Sequence, residues 1–447
     1  MTTQLGTKKR YPHADLRNRH YTEWLCFLKR SESWSAEELR SYQWREVQRV
    51  FRHAYETCPG YRKRYDSHGI TPNSLRTPAD FVHVPMIDKE SLRDDIGRFS
   101  TRIRGSKYVT TGGSTGIPFG FYRDAPAFAK ELASKAHQYH RIGWQEGVRQ
   151  FVFRGLPIAT RNHMQFYPSF NELRCSSYHM TPEIMESYRR KALQYRPQFL
   201  RCYPSSGFLF AKFIEETGRE FPPLRAIMCA SENLYPHQKD LLARVFQARV
   251  FSHYGHYELS VLAGFCEFDD TYHVLPQYGY AELLHSDGSP VTNPGDIGEI
   301  VATSFIMHAT PFIRYRTGDL AVFRGWKCPF CKRPYQIWDK IEGRLQEFIV
   351  TKTGRHITMT AINMHDNIFD HIRQFQFHQK TLGQLEFRYI PHETCSRAIV
   401  DDMKRRLLVK LGDDVELIMK SVRDIPLTVR GKHRFLIQKL QMEIGDA

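Results

Sequence analysis

No apolar run in the 447 residues approaches the ~20 that a helix needs to cross a bilayer. The first twenty, MTTQLGTKKRYPHADLRNRH, hold no apolar core of the kind a secretory signal carries. A cytoplasmic protein is expected, with no membrane span and at most peripheral association. Cysteine shows no framework either: nine residues, an odd number, are scattered from Cys26 to Cys395, and only Cys328 and Cys331 stand close together. That excludes a disulfide scaffold, and in a reducing compartment a C-x-x-C pair points to metal or redox chemistry. The net charge is +16, yet no block of like charge occurs; residues 1–64 carry 14 Lys/Arg and 7 Asp/Glu in mixed order. This distribution reads as a solvated basic face, or as a docking surface for an acidic partner or an anionic membrane; no nucleic-acid partner is expected. Internal repeats and low-complexity tracts are absent.

The length allows two or three domains. Residues 1–107 read as a mostly helical head. Ser35-Ala36-Glu37-Glu38 has capping-box spacing, and Trp44, Val47, Phe51, Tyr55 and Cys58 recur every three to four residues, an amphipathic helix closed by Pro59-Gly60. From Ala125 onward helices and strands alternate: Ala125 to Arg141 (helix), Arg149 to Phe153 (strand), Pro182 to Tyr195 (helix) and Phe199 to Cys202 (strand). Then come Gly207 to Thr217 (helix), Ala226 to Cys229 (strand), Pro236 to Phe246 (helix) and Arg249 to Ser252 (strand). Alternation implies crossovers and a mainly parallel sheet, whose ligands bind at the carboxyl ends of strands. After Gly343-Arg344 the pattern changes: two strands turned at Thr353-Gly354, strands at Ile372 to His378 and Gln384 to Ile390, a helix at Ser396 to Leu411 and a strand at Val415 to Lys420 suggest a small α+β domain.

Several stretches carry candidate chemistry. Thr110 to Gly116 consists only of Thr, Gly and Ser, so its backbone is open to a ligand and suits an anion; a flexible linker has the same composition. It lacks the spacing and lysine of a Walker loop. Ser231-Glu232 and His253 to Glu258 lie just past two expected strand ends. Glu232 and Glu258 read either as surface carboxylates starting the next helix or, beside a phosphate loop, as Mg²⁺ ligands. Tyr254 beside Gly255 offers a flat face with close backbone. Asp319, after a turn glycine, is placed to accept a ribose diol or is an ordinary turn aspartate. Cys328 and Cys331 form a knuckle, and Cys266 and His273 bracket the turn between them that would complete a structural zinc set; free thiols and a redox dithiol are the alternatives. Lys432, beside Gly431, reads by composition as a surface lysine.

The order of these pieces, a Thr/Gly/Ser loop, S-E, Y-G-x-x-E, Y-R-T-G-D, G-R and a late G-K, resembles the adenylate-forming ligases over nearly the whole chain. The segment AYETCPGYRKRYDSHGITPNSLRTPADFVHVPMIDKESL is similar to the phenylacetate–coenzyme A ligase branch, which includes capsular-polysaccharide adenylate ligases and deazaflavin-coenzyme adenylyl synthetases. Some members carry a Cys/His zinc site where Cys266, His273, Cys328 and Cys331 stand. The resemblance implies an α/β fold with a large N-terminal adenylate-forming domain of mixed and parallel sheet, residues 1–345, and a small mobile α+β lid, residues 346–447. It implies that Thr110, Thr111, Gly112, Gly113, Ser114, Thr115 and Gly116 hold the ATP phosphates and that Ser231 and Glu232 border the site. Tyr254 and Gly255 would then pack on adenine, Glu258 bind Mg²⁺, and Asp319 and Arg344 meet the ribose. Lys432 would bridge the attacking carboxylate and the α-phosphate. Ile117 stands where lysine is common in the loop, Tyr257 replaces a Thr or Ser, and Glu347 stands where a hinge aspartate is common. The expected activity is activation of a small-molecule carboxylate as acyl-AMP, then transfer to coenzyme A or an amine of a small-molecule or saccharide acceptor. A nucleotidyltransferase and a weakened nucleotide- or polyanion-binding relative are the alternatives. A monomer or dimer is expected.

Overall fold

The computed structural model describes residues 18–110, 119–155, 158, 160–177, 180–344, 348–354, 356–358, 362, 371–427 and 433–440. Helices α1 (Arg19–Ser31), α2 (Ala36–Thr57), α3 (Pro59–Asp66) and α4 (Lys89–Arg93) lead into a ribbon of β1 (Lys107–Thr110) and β2 (Gly120–Arg123). Next come α5 (Ala125–His140), β3 (Gln150–Arg154), β4 (Met164–Tyr167), β5 (Glu172–Ser176), α6 (Pro182–Tyr195) and β6 (Phe199–Cys202). They are followed by α7 (Pro204–Thr217), β7 (Ala226–Ala230), α8 (Pro236–Phe246), β8 (Arg249–Gly255), β9 (Leu262–Phe265) and β10 (Tyr272–Val274). The large sheet ends with β11 (Gly279–Leu284), β12 (Ile297–Ser304), β13 (Tyr315–Gly325) and β14 (Ile337–Arg344). Beyond it lie β15 (Phe348–Val350), β16 (His356–Thr358), β17 (Ile372–Thr381), β18 (Gln384–Pro391), α9 (Arg397–Leu411), β19 (Glu416–Ser421) and β20 (Leu436–Gln438).

Local signals set many of these bounds. The Glu38 N–H donates to Ser35, and the Glu38 carboxylate accepts the Ser35 N–H at 2.7 Å, so the capping box starts α2 as expected. Pro59-Gly60 does more than end that helix. Cys58 breaks it in an extended conformation, and Pro59, which needs no N–H partner in a first turn, opens α3. Likewise α7 starts at Pro204, three residues before the expected Gly207.

Among the described residues twelve strands form one sheet in the order β11-β12-β13-β14-β10-β9-β8-β7-β6-β3-β5-β4. Only β5, β3, β6, β7 and β8 run parallel to one another; β4 and β9 to β14 pair antiparallel, so the sheet is mixed rather than mainly parallel. One face of the parallel strands, with Phe151, Phe153, Leu200 and Ile227, packs under α6, α7 and α8; the other, with Phe199, Met228 and Phe251, meets Tyr139 of α5. The second sheet, β19-β18-β17-β20, is covered by Met403, Leu407 and Leu411 of α9, an α+β unit. Its strand β20 lies parallel to β17 and was not foreseen: three residues give too short a pattern to read. No helix among the described residues is long and apolar enough to cross a membrane.

Arg314 ties the helical head to the large sheet. Its guanidinium donates to Glu282 at 3.0 and 3.1 Å and to the Val82 and Val84 carbonyls at 2.6 and 2.8 Å, almost wholly buried. Arg314→Ala leaves a buried carboxylate and two carbonyls unmatched, and should cost about 3–5 kcal/mol of unfolding free energy in urea titrations.

Candidate active site

The carboxyl ends of β6, β7 and β8 bring the expected polar residues together. Glu232 does not start a helix of its own, since α8 begins four residues later. It caps the N-terminus of α7 instead, accepting from Ser205 N–H at 3.0 Å and Ser205 Oγ at 3.1 Å, where the dipole favours a carboxylate. Glu232 also accepts the backbone N–H of His433 at 3.1 Å, which joins the chain leading into β20 to the strand-end cluster. Phe435 packs edge-on to Tyr235 with ring centroids 4.9 Å apart, and Lys212 donates to the Ile372 carbonyl at 3.1 Å, across the same junction. Sequence reasoning places Ser205 in an expected pocket segment, Cys202 to Ser206, but gives His433 no role, because a contact supplied from a distant strand leaves no local pattern.

The strand β8 runs to Gly255 rather than ending at Ser252, because β9 folds back on it and pairs Tyr254 with Ala263 and Gly255 with Leu262. Tyr254 and Gly255 are therefore strand residues. Tyr254 donates its hydroxyl to Asp319 at 2.7 Å. Asp319 lies in a bulge within β13, not in a turn: Gly318 takes φ +73°, and the register against β12 shifts between Glu299 and Val301. Its backbone is paired with that of Arg344 on β14, so those two expected ribose residues sit side by side. Glu258 also starts no helix; it is buried in the turn after β8, 3.0 Å from His256 Nδ1 and 3.2 Å from the Tyr315 hydroxyl. Non-glycine left-handed residues flank both glutamates, Ser231 (φ +71°) before Glu232 and Leu259 (φ +54°) after Glu258, a strain of the kind that collects at functional sites.

Burial alone raises the Glu258 carboxyl. The hydrogen bond and charge of His256, with the Lys89 charge behind them, outweigh burial and hold it down at about 2. A carboxyl lowered on folding stabilises the protein fully above its ordinary 4.5 and loses that contribution as pH falls toward 2. Glu258→Gln should therefore be less stable than the parent at pH 6, with the gap narrowing below pH 4.5 and closing only as pH falls to about 2, read from urea midpoints at each pH. Lys89, which also stands over the Phe119 ring at 5.8 Å, is a cation at this site that carried no sequence signal.

Thr110 ends β1. Thr111, Gly112, Gly113, Ser114, Thr115, Gly116 and Ile117 lie outside the described residues, as do Glu347, Gly431 and Lys432; Arg344 is described by its backbone. Phe119 and His433 are the described neighbours of the loop and of the lysine.

No protein-family model matches the chain. It is 23% identical over 393 residues to protein CapK of Staphylococcus aureus, covering 82% of each chain. It is 24% identical over 347 residues to a phenylacetate-coenzyme A ligase of Aromatoleum evansii, covering 72% of this chain and 74% of that one. The fold superposes on 2-hydroxyisobutyryl-CoA ligase in its postadenylation state with a TM-score of 0.73 at 18% identity, over 91% of this chain and 90% of the other. At these identities the likeness establishes the fold, which is that of this CoA ligase. An open conformation of that same CoA ligase aligns with a TM-score of only 0.57, so the placement of the two sheets here fits the former arrangement better.

Within this fold, the four zinc candidates meet. The ligand atoms of Cys266, His273, Cys328 and Cys331 all lie within 4.8 Å of one another. The Cys266 and Cys328 sulfurs are 3.9 Å apart and Cys331 Sγ is 3.8 Å from His273 Nδ1, close to the ~3.8 Å edge of a tetrahedron with ~2.3 Å metal–sulfur bonds. The N–H groups of Phe268 and Phe330 point at the Cys266 and Cys328 sulfurs at 3.5 and 3.4 Å, donors that suit thiolates. The residues present thus fit a closed Cys₃His site. It lies at the opposite end of β9 from Leu262, the residue paired with Gly255, and Arg333 bridges Glu267 beside it to Glu32 of the helical head, each at 2.8 Å.

Proposed function

We propose that this chain is an ATP-dependent, AMP-forming ligase that activates a carboxylate as acyl-AMP, releases pyrophosphate and passes the acyl group to coenzyme A or an amine. The observation that carries this reading is the His433 N–H to Glu232 hydrogen bond. It anchors the residue next to Lys432 at the strand ends that present Ser231, Tyr254, Gly255 and Glu258. In this reading Thr110 to Gly116 receive the ATP phosphates, Tyr254 and Gly255 pack on the adenine, and Asp319 and Arg344 meet the ribose. Glu258, ionised and buried, is the residue that would hold Mg²⁺, which supplies charge neutralisation at the phosphates. A carboxylate oxygen attacks the α-phosphorus, a P–O bond forms, and the bond to pyrophosphate breaks. Lys432 lies between the two anions as a fixed charge. Residues 346–447 act as a lid whose movement admits the acceptor. Zinc in the Cys₃His set is structural, because four protein ligands leave no open position for water.

Hydroxylamine trapping across aryl, short-chain, amino and sugar acids, with pyrophosphate release followed in parallel, tests the reading. An acyl hydroxamate formed only with ATP and Mg²⁺ supports it. Release of pyrophosphate with AMP retained on a phosphorylated acceptor, and no hydroxamate from any acid, would replace it with nucleotidyl transfer.

A further inference from the structure

The face of the large sheet that meets α5 is strongly charged where the strands end. Val152 pairs in register with both Arg174 on β5 and Arg201 on β6, and Arg154 follows two residues later. Side chains alternate along a strand, so the three arginines share that face. Glu172 is the carboxylate they share: Arg174 reaches it at 2.6 Å and Arg201 at 2.7 Å. Lys135, the next cation, is matched by Glu131 at 2.5 Å. Arg154 forms no ion pair among the described residues. It is enclosed by protein yet keeps part of its surface accessible.

The surroundings compensate it only in part. Burial, and next the Arg201 guanidinium, push Arg154 down to about 10, which leaves it charged at neutral pH. His253, hydrogen-bonded to the Tyr139 hydroxyl at 2.8 Å, is pushed well below its ordinary value by burial and by Lys135, Arg201 and Arg154, so it stays neutral. Glu172, already bonded to Arg174 and Arg201, is the one carboxylate among the described residues acting on Arg154, so three guanidinium groups share a single negative charge and a bound anion would offset the excess.

Position says which ligand would bring the anion. Ala230 pairs with His253, and Tyr203, one residue beyond the Cys202–Cys229 pair, is level with them; its hydroxyl is an electrostatic neighbour of Arg154. Ser231, Glu232 and Tyr254 follow directly in the chain. The arginine thus borders the proposed acyl end of the site. We propose that the acid this chain activates carries a second anionic group, a carboxylate or a phosphate ester, which the Arg154 guanidinium holds beside Tyr203. The fork of a guanidinium matches the paired oxygens of either group. This inference rests on the ligase reading and names its substrate class.

The test compares chain-matched acids with and without a distal carboxylate or phosphate, by ATP-dependent hydroxamate formation. The wild type should favour a doubly charged member by about 10- to 100-fold in kcat/KM, the range of one charge-assisted contact, and the better of the two anions identifies the group. Arg154→Gln should erase that preference while leaving uncharged acids within about twofold, and Arg154→Lys should keep part of it. A wild type that favours the uncharged member of every pair, or a folded Arg154→Gln that keeps the preference, overturns the inference and leaves the ligase reading standing. Activation of no acid at all overturns both. If Arg154→Gln does not fold, competition decides: dianions inhibiting the wild type at least tenfold more tightly than matched monoanions support the inference, and equal inhibition overturns it.

Discussion

Lys432→Ala should lower acyl-adenylate formation by at least about 10²- to 10³-fold, the loss seen when one fixed transition-state charge partner is removed, while ATP binding stays nearly unchanged. The reason is that attack brings a carboxylate against the α-phosphate, and the repulsion peaks as the new P–O bond forms. An ammonium placed between them acts on charge that develops only there, so its removal lowers kcat rather than ground-state affinity. Support for the proposed placement comes from the neighbouring backbone: the His433 N–H is held on Glu232 and the His433 ring lies 2.9 Å from the Phe375 carbonyl. Lys439, seven residues later, is tied by its own N–H to the Gln379 carbonyl along the small sheet, so Lys439→Ala should retain parental activity. Pyrophosphate exchange and nucleotide titration on both variants check the pair of outcomes. Near-parental exchange by Lys432→Ala would remove the lysine from the mechanism.

Helices and strands bounded by local chemistry were legible in the sequence; those bounded by distant partners were not. The helices α6 and α8 open on Pro at the first position and close on left-handed Arg196 and Gln247, and both bounds fall where the sequence puts them. The strand β8 outruns its expected end by three residues, since pairing with β9 depends on a hairpin that local propensity does not weigh. The same distinction runs through the site. Tyr254 and Glu258 stand out as polar groups just past an expected strand end and Asp319 as an aspartate after a turn glycine, and the structure brings Tyr254 and Asp319 into direct contact. What Glu232 does was hidden, because the helix it caps begins 28 residues before it in the chain. Arg154 was hidden too: an arginine closing a strand looks ordinary until the strands beside it show one carboxylate among three guanidinium groups.

Cys328→Ser should release the metal and lower stability by several kcal/mol, with far less effect on turnover per folded molecule. A thiolate-rich set binds zinc only while all its donors are present, and binding free energy of such sites is folding free energy. Here the four donors come from two stretches 55 residues apart, Cys266 with His273 and Cys328 with Cys331, so the ion would close a long loop at the ends of β9 and β10, interior strands of the sheet. Without it three sulfurs within reach of one another, two of them buried, gain nothing from their neighbours, and the Arg333 contacts to Glu267 and Glu32 lose the knuckle that positions them. The site is separated from Gly255 by the length of β9, so the strand-end cluster should keep its geometry in whatever fraction stays folded. Metal analysis of protein purified under reducing conditions should give one zinc per chain for the parent and a clear deficit for Cys328→Ser. Chelation of the parent should reproduce the variant's drop in Tm. A parent free of zinc, or a variant as stable as the parent, would show that the four residues pack as ordinary buried thiols around a histidine.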